Sequence, residues 1–175
     1  LAADPLLSSY AHASKQVDIG GRTIDLRCTG KGNETVVLDA WLGDFSVEWY
    51  KVEPAVAQRA KVCSFDRAGF GFSQDSPAPQ SVYDVATDLH KALASAGIKP
   101  PYVLVGHSIG GLEVRLFAAR WPQEVSGMVL VDTSFYGQKK ALSELPGYDA
   151  EFYQKTSDGQ QHCISAASGF LLPSG

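Results

Sequence analysis

A single serine sits among glycines in Val103-Leu104-Val105-Gly106-His107-Ser108-Ile109-Gly110-Gly111, where an apolar run breaks and then restarts with helical character. The stretch reads as strand, sharp turn, helix. A serine at the apex of such a turn needs small neighbours, because the backbone folds so tightly that a side chain two residues before or after it would collide. Gly106 and Gly110 supply that clearance. The turn would aim the Ser108 hydroxyl into open space, and the helix behind it would present free N–H groups to a developing oxyanion. The plainer alternative is a glycine-rich loop that carries a bystander serine.

The flanking elements favour the first reading. Tyr102 to Val105 is a short apolar run rich in β-branched residues behind a Pro100-Pro101 break, as a buried strand should be. Leu112, Val114, Leu116, Phe117, Ala118 and Ala119 then fill a helix that stops before Trp121-Pro122. Glu113 falls in the first turns of that helix, where a carboxylate suits the positive end of the dipole. His107, one residue before the serine, should point away from the hydroxyl as a packing or hydrogen-bonding residue, and neither His90 nor His12 is a good base.

The rest of the chain must hold this turn in place. Lys15 to Ile19, a Gly20-Gly21 turn and Thr23 to Cys28 predict an antiparallel hairpin. Thr35-Val36-Val37-Leu38-Asp39 is a candidate central strand, and Lys61 to Asp66 is the next buried one. Between them Phe45 to Arg59 carries a helical pattern, in which Pro54 suggests a break or a second helix start. Ser81 can cap a helix from Val82 to Ala96 that Gly97 stops. Met128 to Asp132 is a last buried strand. A hairpin followed by alternating strands and helices predicts a mainly parallel α/β sheet with helices on both faces. Residues 1–133 then form the core, and 134–175, where periodicity fades into scattered aromatics and two possible short helices, read as the start of a cap.

Composition limits the partners. The 175 residues include 45% hydrophobic side chains, enough for one domain with a real core, and a net charge of −4 without a basic cluster argues against nucleic acid. No apolar run approaches the roughly 18 residues needed to span a bilayer. The chain begins Leu1-Ala2-Ala3-Asp4, and a removed export signal, which favours a secreted or periplasmic location, is one explanation for that start. Three cysteines allow one disulfide at most within the chain. Cys63 is most simply a small core hydrophobe, Cys28 ends a strand, and Cys163 lies in the polar tail. No metal cluster or phosphate-binding glycine loop is visible, so no cofactor is implied.

Together Phe65-Asp66-Arg67-Ala68-Gly69-Phe70-Gly71-Phe72-Ser73, the Pro101–Gly111 stretch and Val129-Leu130-Val131-Asp132 resemble the α/β-hydrolase superfamily, in its group of small-molecule esterases, lipases and iminopeptidase-like enzymes. The resemblance runs from about residue 15 to 133. It implies that Ser108 is the nucleophile, carrying an acyl group until water releases it. It also implies an oxyanion hole built from the backbone N–H of Ile109 and one from the loop after the third strand. Aligning Asp39-Ala40-Trp41-Leu42-Gly43 with that loop places the second donor at Leu42. Ala40 and Trp41 stand where the family usually has His and Gly, so Trp41 could donate instead or wall the substrate pocket, as could Trp49. Asp66 and Arg67 read as a local hydrogen-bonded brace rather than a substrate clamp.

The same resemblance places a triad acid and then a histidine after the serine. Asp132 closes the strand after the elbow helix and is the candidate acid, its plainer reading being a cap or loop anchor. His162 is the single histidine downstream of Ser108 and has no strand before it. The expectation is therefore that a second polypeptide supplies the remaining strands and the acid and base, with a small ester as substrate. Such a partner could arise by nicking in a cap loop, and Cys163 could bridge to it. Amide or peptide cleavage is an alternative, as is a non-catalytic binding protein on a hydrolase fold. An aspartate at position 108 would have pointed to a dehalogenase or epoxide hydrolase.

Overall fold

Side chains along the interior strands alternate between two apolar faces, and that alternation organises the molecule. A computed structural model describes residues 4–135 together with 137, 138, 141 and 144. After a short leading helix α1 (Pro5–Ser8), the strands are β1 (Lys15–Asp18), β2 (Thr23–Thr29), β3 (Thr35–Asp39), β4 (Lys61–Phe65), β5 (Tyr102–His107) and β6 (Val125–Val131). They form one sheet in the order β1-β2-β4-β3-β5-β6. β1 pairs antiparallel with β2, and β2 with β4, whereas β3 runs parallel to β4 and β5, and β5 to β6. The expected hairpin and parallel sheet are both present, with β3 in the interior.

On one face Val37, Cys63, Phe65, Tyr102 and Leu104 pack beneath α3 (Val82–Ser95) and α4 (Gly110–Arg120). On the other, Leu38 and Val62 meet Trp49, with Val56 and Ala57 beside them. Trp49 is thus core, not pocket wall. The segment expected to be helical over 45–59 divides into a 3-10 turn, Ser46–Trp49, and α2 (Glu53–Ala57). Pro54 is the reason: it lies in the first turn of α2, where its missing N–H leaves no bond unmade. Ser81 and Asp84 cap α3 reciprocally, and Gly97 follows with φ +74°.

Cys63 corrects the expectation of a free core thiol. Register places Cys28 of β2 opposite Cys63 of β4, and the two form a disulfide with Cα atoms 4.1 Å apart. The bond closes a sequence separation of 35 residues, for which loop-closure entropy gives about 4 kcal/mol of stabilisation. Reduction with dithiothreitol, or Cys28→Ala with Cys63→Ala, is therefore expected to lower the urea midpoint by a corresponding amount. An unchanged midpoint would show that the bond adds nothing to stability.

β6 lies at the sheet edge, and its consecutive residues Val129, Leu130 and Val131 are 50%, 43% and 42% exposed. Because consecutive strand residues point to opposite faces, both faces of β6 are uncovered there among the described residues. His162, Cys163 and the cap helices expected in the tail lie outside the described residues.

Candidate active site

The glycines around Ser108 are dictated by close backbone contacts. A methyl group at Gly106 would lie 2.5 Å from the carbonyl oxygen of Gly110, and one at Gly110 would lie 2.6 Å and 2.7 Å from the carbonyl oxygens of Asp39 and Ala40. β5 therefore turns directly into α4, and the start of α4 abuts the loop after β3. Ser108 itself has φ +51°, a left-handed conformation that costs a non-glycine residue roughly 1–2 kcal/mol. Bonds on every side hold it there. Its N–H donates to Val131 O at 3.1 Å, and its carbonyl accepts from Gly111 N at 3.1 Å, Ser134 N at 2.9 Å and Thr133 Oγ1 at 3.2 Å.

Ser108 is partly exposed, and among the described residues its Oγ has one side-chain partner, Ser134 Oγ at 3.5 Å. Ser134 and Thr133 are site neighbours that the sequence did not single out. They follow β6 without any local pattern, and only the parallel pairing of β5 with β6 brings them to the turn. Ile109 is buried behind the serine, and among the described residues its N–H donates to no protein acceptor.

The loop after β3 is held from two sides. Arg67, whose side chain is 2% exposed, donates from Nε to Glu113 Oε2 at 2.9 Å and from Nη2 to Asp39 Oδ1 at 2.6 Å and Ala40 O at 2.5 Å. Its Nη1 donates to Trp41 O at 3.0 Å. The expected brace is therefore present, although it reaches well beyond its own loop. Glu48 accepts the Trp41 N–H at 2.8 Å and, through its other oxygen, meets His107 Nδ1. Asp66 braces the adjacent turn, accepting from Ser46 N at 3.0 Å and Phe72 N at 2.9 Å.

Glu113 lies in the first turn of α4, as expected, and is in addition buried against Arg67. Burial pushes the Asp39 carboxyl well above the usual carboxylate range; Arg67 opposes that and the charge of Glu113 adds to it. Burial also works against the charge on Arg67, but Asp39 and Glu113 outweigh it and raise its pKa.

The other candidate residues have separate placements. Trp41 is 39% exposed, with its indole N–H donating to Asp44 Oδ2 at 2.9 Å, and Leu42 beside it is partly buried. Asp132 is exposed just past β6 with φ +40°, and among the described residues it makes no side-chain bond to Ser108. His107 bonds Glu48, the hydrogen-bonding of the two roles expected for it, and His90 stacks on Trp121 with ring centroids 3.9 Å apart. Among the described residues no group of acidic, histidine or cysteine side chains could hold a metal, and no helix is long and apolar enough to cross a membrane.

Comparison with known proteins agrees with this architecture. The protein YbdG of Bacillus subtilis is 29% identical over 158 residues, which are 86% of this chain and 48% of YbdG. The structure titled "Est816 as an N-Acyl homoserine lactone degrading enzyme" superposes with a TM-score of 0.69 at 23% identity, over 83% of this chain and 54% of that one. The epoxide hydrolase CorEH superposes with a TM-score of 0.66 at 22% identity, over 87% and 55%. The chain thus spans about half the length of each of these. A sequence profile described as "alpha/beta hydrolase fold" matches residues 36–160, most of the chain, and with the sheet order and the turn at Ser108 it shows that the chain belongs to the alpha/beta hydrolase family.

Proposed function

We propose that the chain is the nucleophile-bearing part of a serine hydrolase that cleaves a carboxylic ester through an acyl-enzyme on Ser108. The observation that carries this reading is a partly exposed hydroxyl on a left-handed residue, fixed between a strand end and a helix start by backbone bonds. Strain of this kind persists where surrounding structure over-determines it, and it clusters at reactive positions. Ser108 Oγ attacks the acyl carbonyl while a base takes its proton. The carbonyl oxygen becomes an oxyanion, received by the N–H groups of Ile109 and Leu42. Collapse expels the alcohol with the proton returned by the base, and water then frees the acid.

The base comes from polypeptide that completes the sheet, and so does the acid unless Asp132 fills that role. Among the described residues the apolar faces at Val129, Leu130 and Val131 are uncovered, which supports a second polypeptide docking along β6. Asp132, at the end of that strand, is the carboxylate this chain offers as the acid. Trp41, exposed beside Leu42, forms a wall of the substrate pocket. A serine rather than an aspartate at the turn separates this chemistry from that expected of an epoxide-opening relative. The Cys28–Cys63 bond is the chemistry of an oxidising compartment and supports a secreted or periplasmic setting.

A panel of aryl esters and aryl amides with matched leaving groups tests the reading in the completed protein. Ester turnover with a burst equal to the protein concentration is expected. Preferential amide turnover would move the bond class to amides, and turnover of neither would leave a binding protein on a hydrolase fold.

A further inference from the structure

We infer that Arg67 is a positioning residue for the oxyanion site, acting by fixing the plane of the Trp41–Leu42 peptide so that the Leu42 N–H faces the reacting carbonyl. This rests on the reading of Ser108 as nucleophile and adds to it a residue that never touches substrate. In a planar trans peptide the C=O and N–H point in opposite directions. Arg67 Nη1 donates to the Trp41 carbonyl at 3.0 Å, alongside the turn bond from Asp44 N at 3.3 Å, so the Leu42 N–H of that same peptide is turned the other way. The preceding peptide is fixed as well. Its carbonyl, Ala40 O, accepts from Arg67 Nη2 at 2.5 Å, while its N–H, on Trp41, donates to Glu48 Oε2 at 2.8 Å.

With Ala40 O, Trp41 N and Trp41 O all engaged, Leu42 has the next N–H along the loop, and among the described residues it donates to no protein acceptor. The other expected donor, on Ile109, sits at the start of α4, and Arg67 ties the two regions together. Its Nε–H holds Glu113 of α4 at 2.9 Å while its other nitrogens hold the loop. A guanidinium suits this task because its donors lie in one rigid plane, which the point charge of a lysine does not reproduce. The unusual Ala40-Trp41 pair is thereby accommodated, since the loop geometry is set through backbone groups rather than side chains.

The test uses the completed protein, with Arg67→Lys, Leu42→Pro and their combination, each assayed on an oxygen ester and its thiono counterpart. Leu42→Pro deletes the N–H itself and leaves the Arg67 contacts in place. Sulfur accepts hydrogen bonds weakly, so a working oxyanion site favours the oxygen ester. Each single variant is expected to lower kcat on the oxygen ester by about 100-fold, the effect of losing one such donor, with little change in KM and a similar loss of preference over the thiono ester. The double variant is expected to lose no more than Leu42→Pro alone, because both changes remove the same interaction.

Should Arg67→Lys fail to fold, the charge-free replacement Arg67→Met with Asp39→Asn and Glu113→Gln takes its place in the same assays, since whole buried ionic groups tolerate neutral substitution far better than loss of one partner. An unchanged oxygen-to-thiono preference, or losses that multiply in the double variant, would overturn the inference and leave Arg67 as a brace for stability. Failure of the parent protein to acylate Ser108 would instead overturn the reading beneath it.

Discussion

Ser108→Ala is expected to lower kcat/KM toward an activated aryl ester by about 10⁴-fold or more, the scale at which nucleophile loss is felt when a serine and its base act as a unit. Stability should scarcely move. Among the described residues the Ser108 hydroxyl makes one long contact, to Ser134 at 3.5 Å, so its removal leaves no strong bond unmade there and should change unfolding free energy by no more than about 0.5 kcal/mol. Alanine at φ +51° is as strained as serine, whereas Ser108→Gly relieves that strain and should raise stability by about 1 kcal/mol while abolishing turnover. Activity assays beside urea unfolding of the three proteins separate the effects. A variant that loses activity and stability together would make Ser108 a structural residue.

Gly110→Ala should have a large effect on folding for a single added methyl group. In an unconstrained helix this change stabilises by about 1 kcal/mol. Here the added carbon would stand 2.6 Å from Asp39 O and 2.7 Å from Ala40 O, both backbone atoms that cannot rotate away. Either α4 or the loop after β3 must shift. The loss is expected to reach about 3 kcal/mol, the upper range for overpacking, with turnover falling as well because the Leu42 region moves relative to Ser108. Gly127→Ala is the control. Its nearest neighbours are methyl carbons of Val103 at 3.9 Å, and its unfolding midpoint should stay close to that of the parent. Equal midpoints for the two variants would mean that the close approach at Gly110 carries no cost.

These two residues were legible because their meaning is local. A serine between glycines at the end of a β-branched run describes a tight turn without reference to the rest of the chain, and the apolar run in Thr35–Asp39, bounded by turn residues, likewise announces an interior strand. Distant partnerships were not legible. Cys28 and Cys63 meet because β2 and β4 are neighbours, an adjacency that skips β3 in sequence and is set by the topology. Arg67 reaches Glu113 across 46 positions. A signal for that pair did exist. Glu113 lies three residues after Gly110 and four before Phe117, on the buried stripe of α4, and a carboxylate on a buried stripe demands a cation. The dipole explanation was sufficient in sequence and concealed that demand. Glu48 offered no comparable sign, since its ties to Trp41 and His107 depend on how a 3-10 turn packs over the sheet.

Intact-mass measurement of the completed protein after incubation with a fluorophosphonate, followed by mapping of the modified peptide, bears on the proposed chemistry most directly. One phosphonyl adduct per molecule on Ser108, absent from Ser108→Ala, is the expected result. No adduct, or an adduct on another serine that persists in Ser108→Ala, would contradict it.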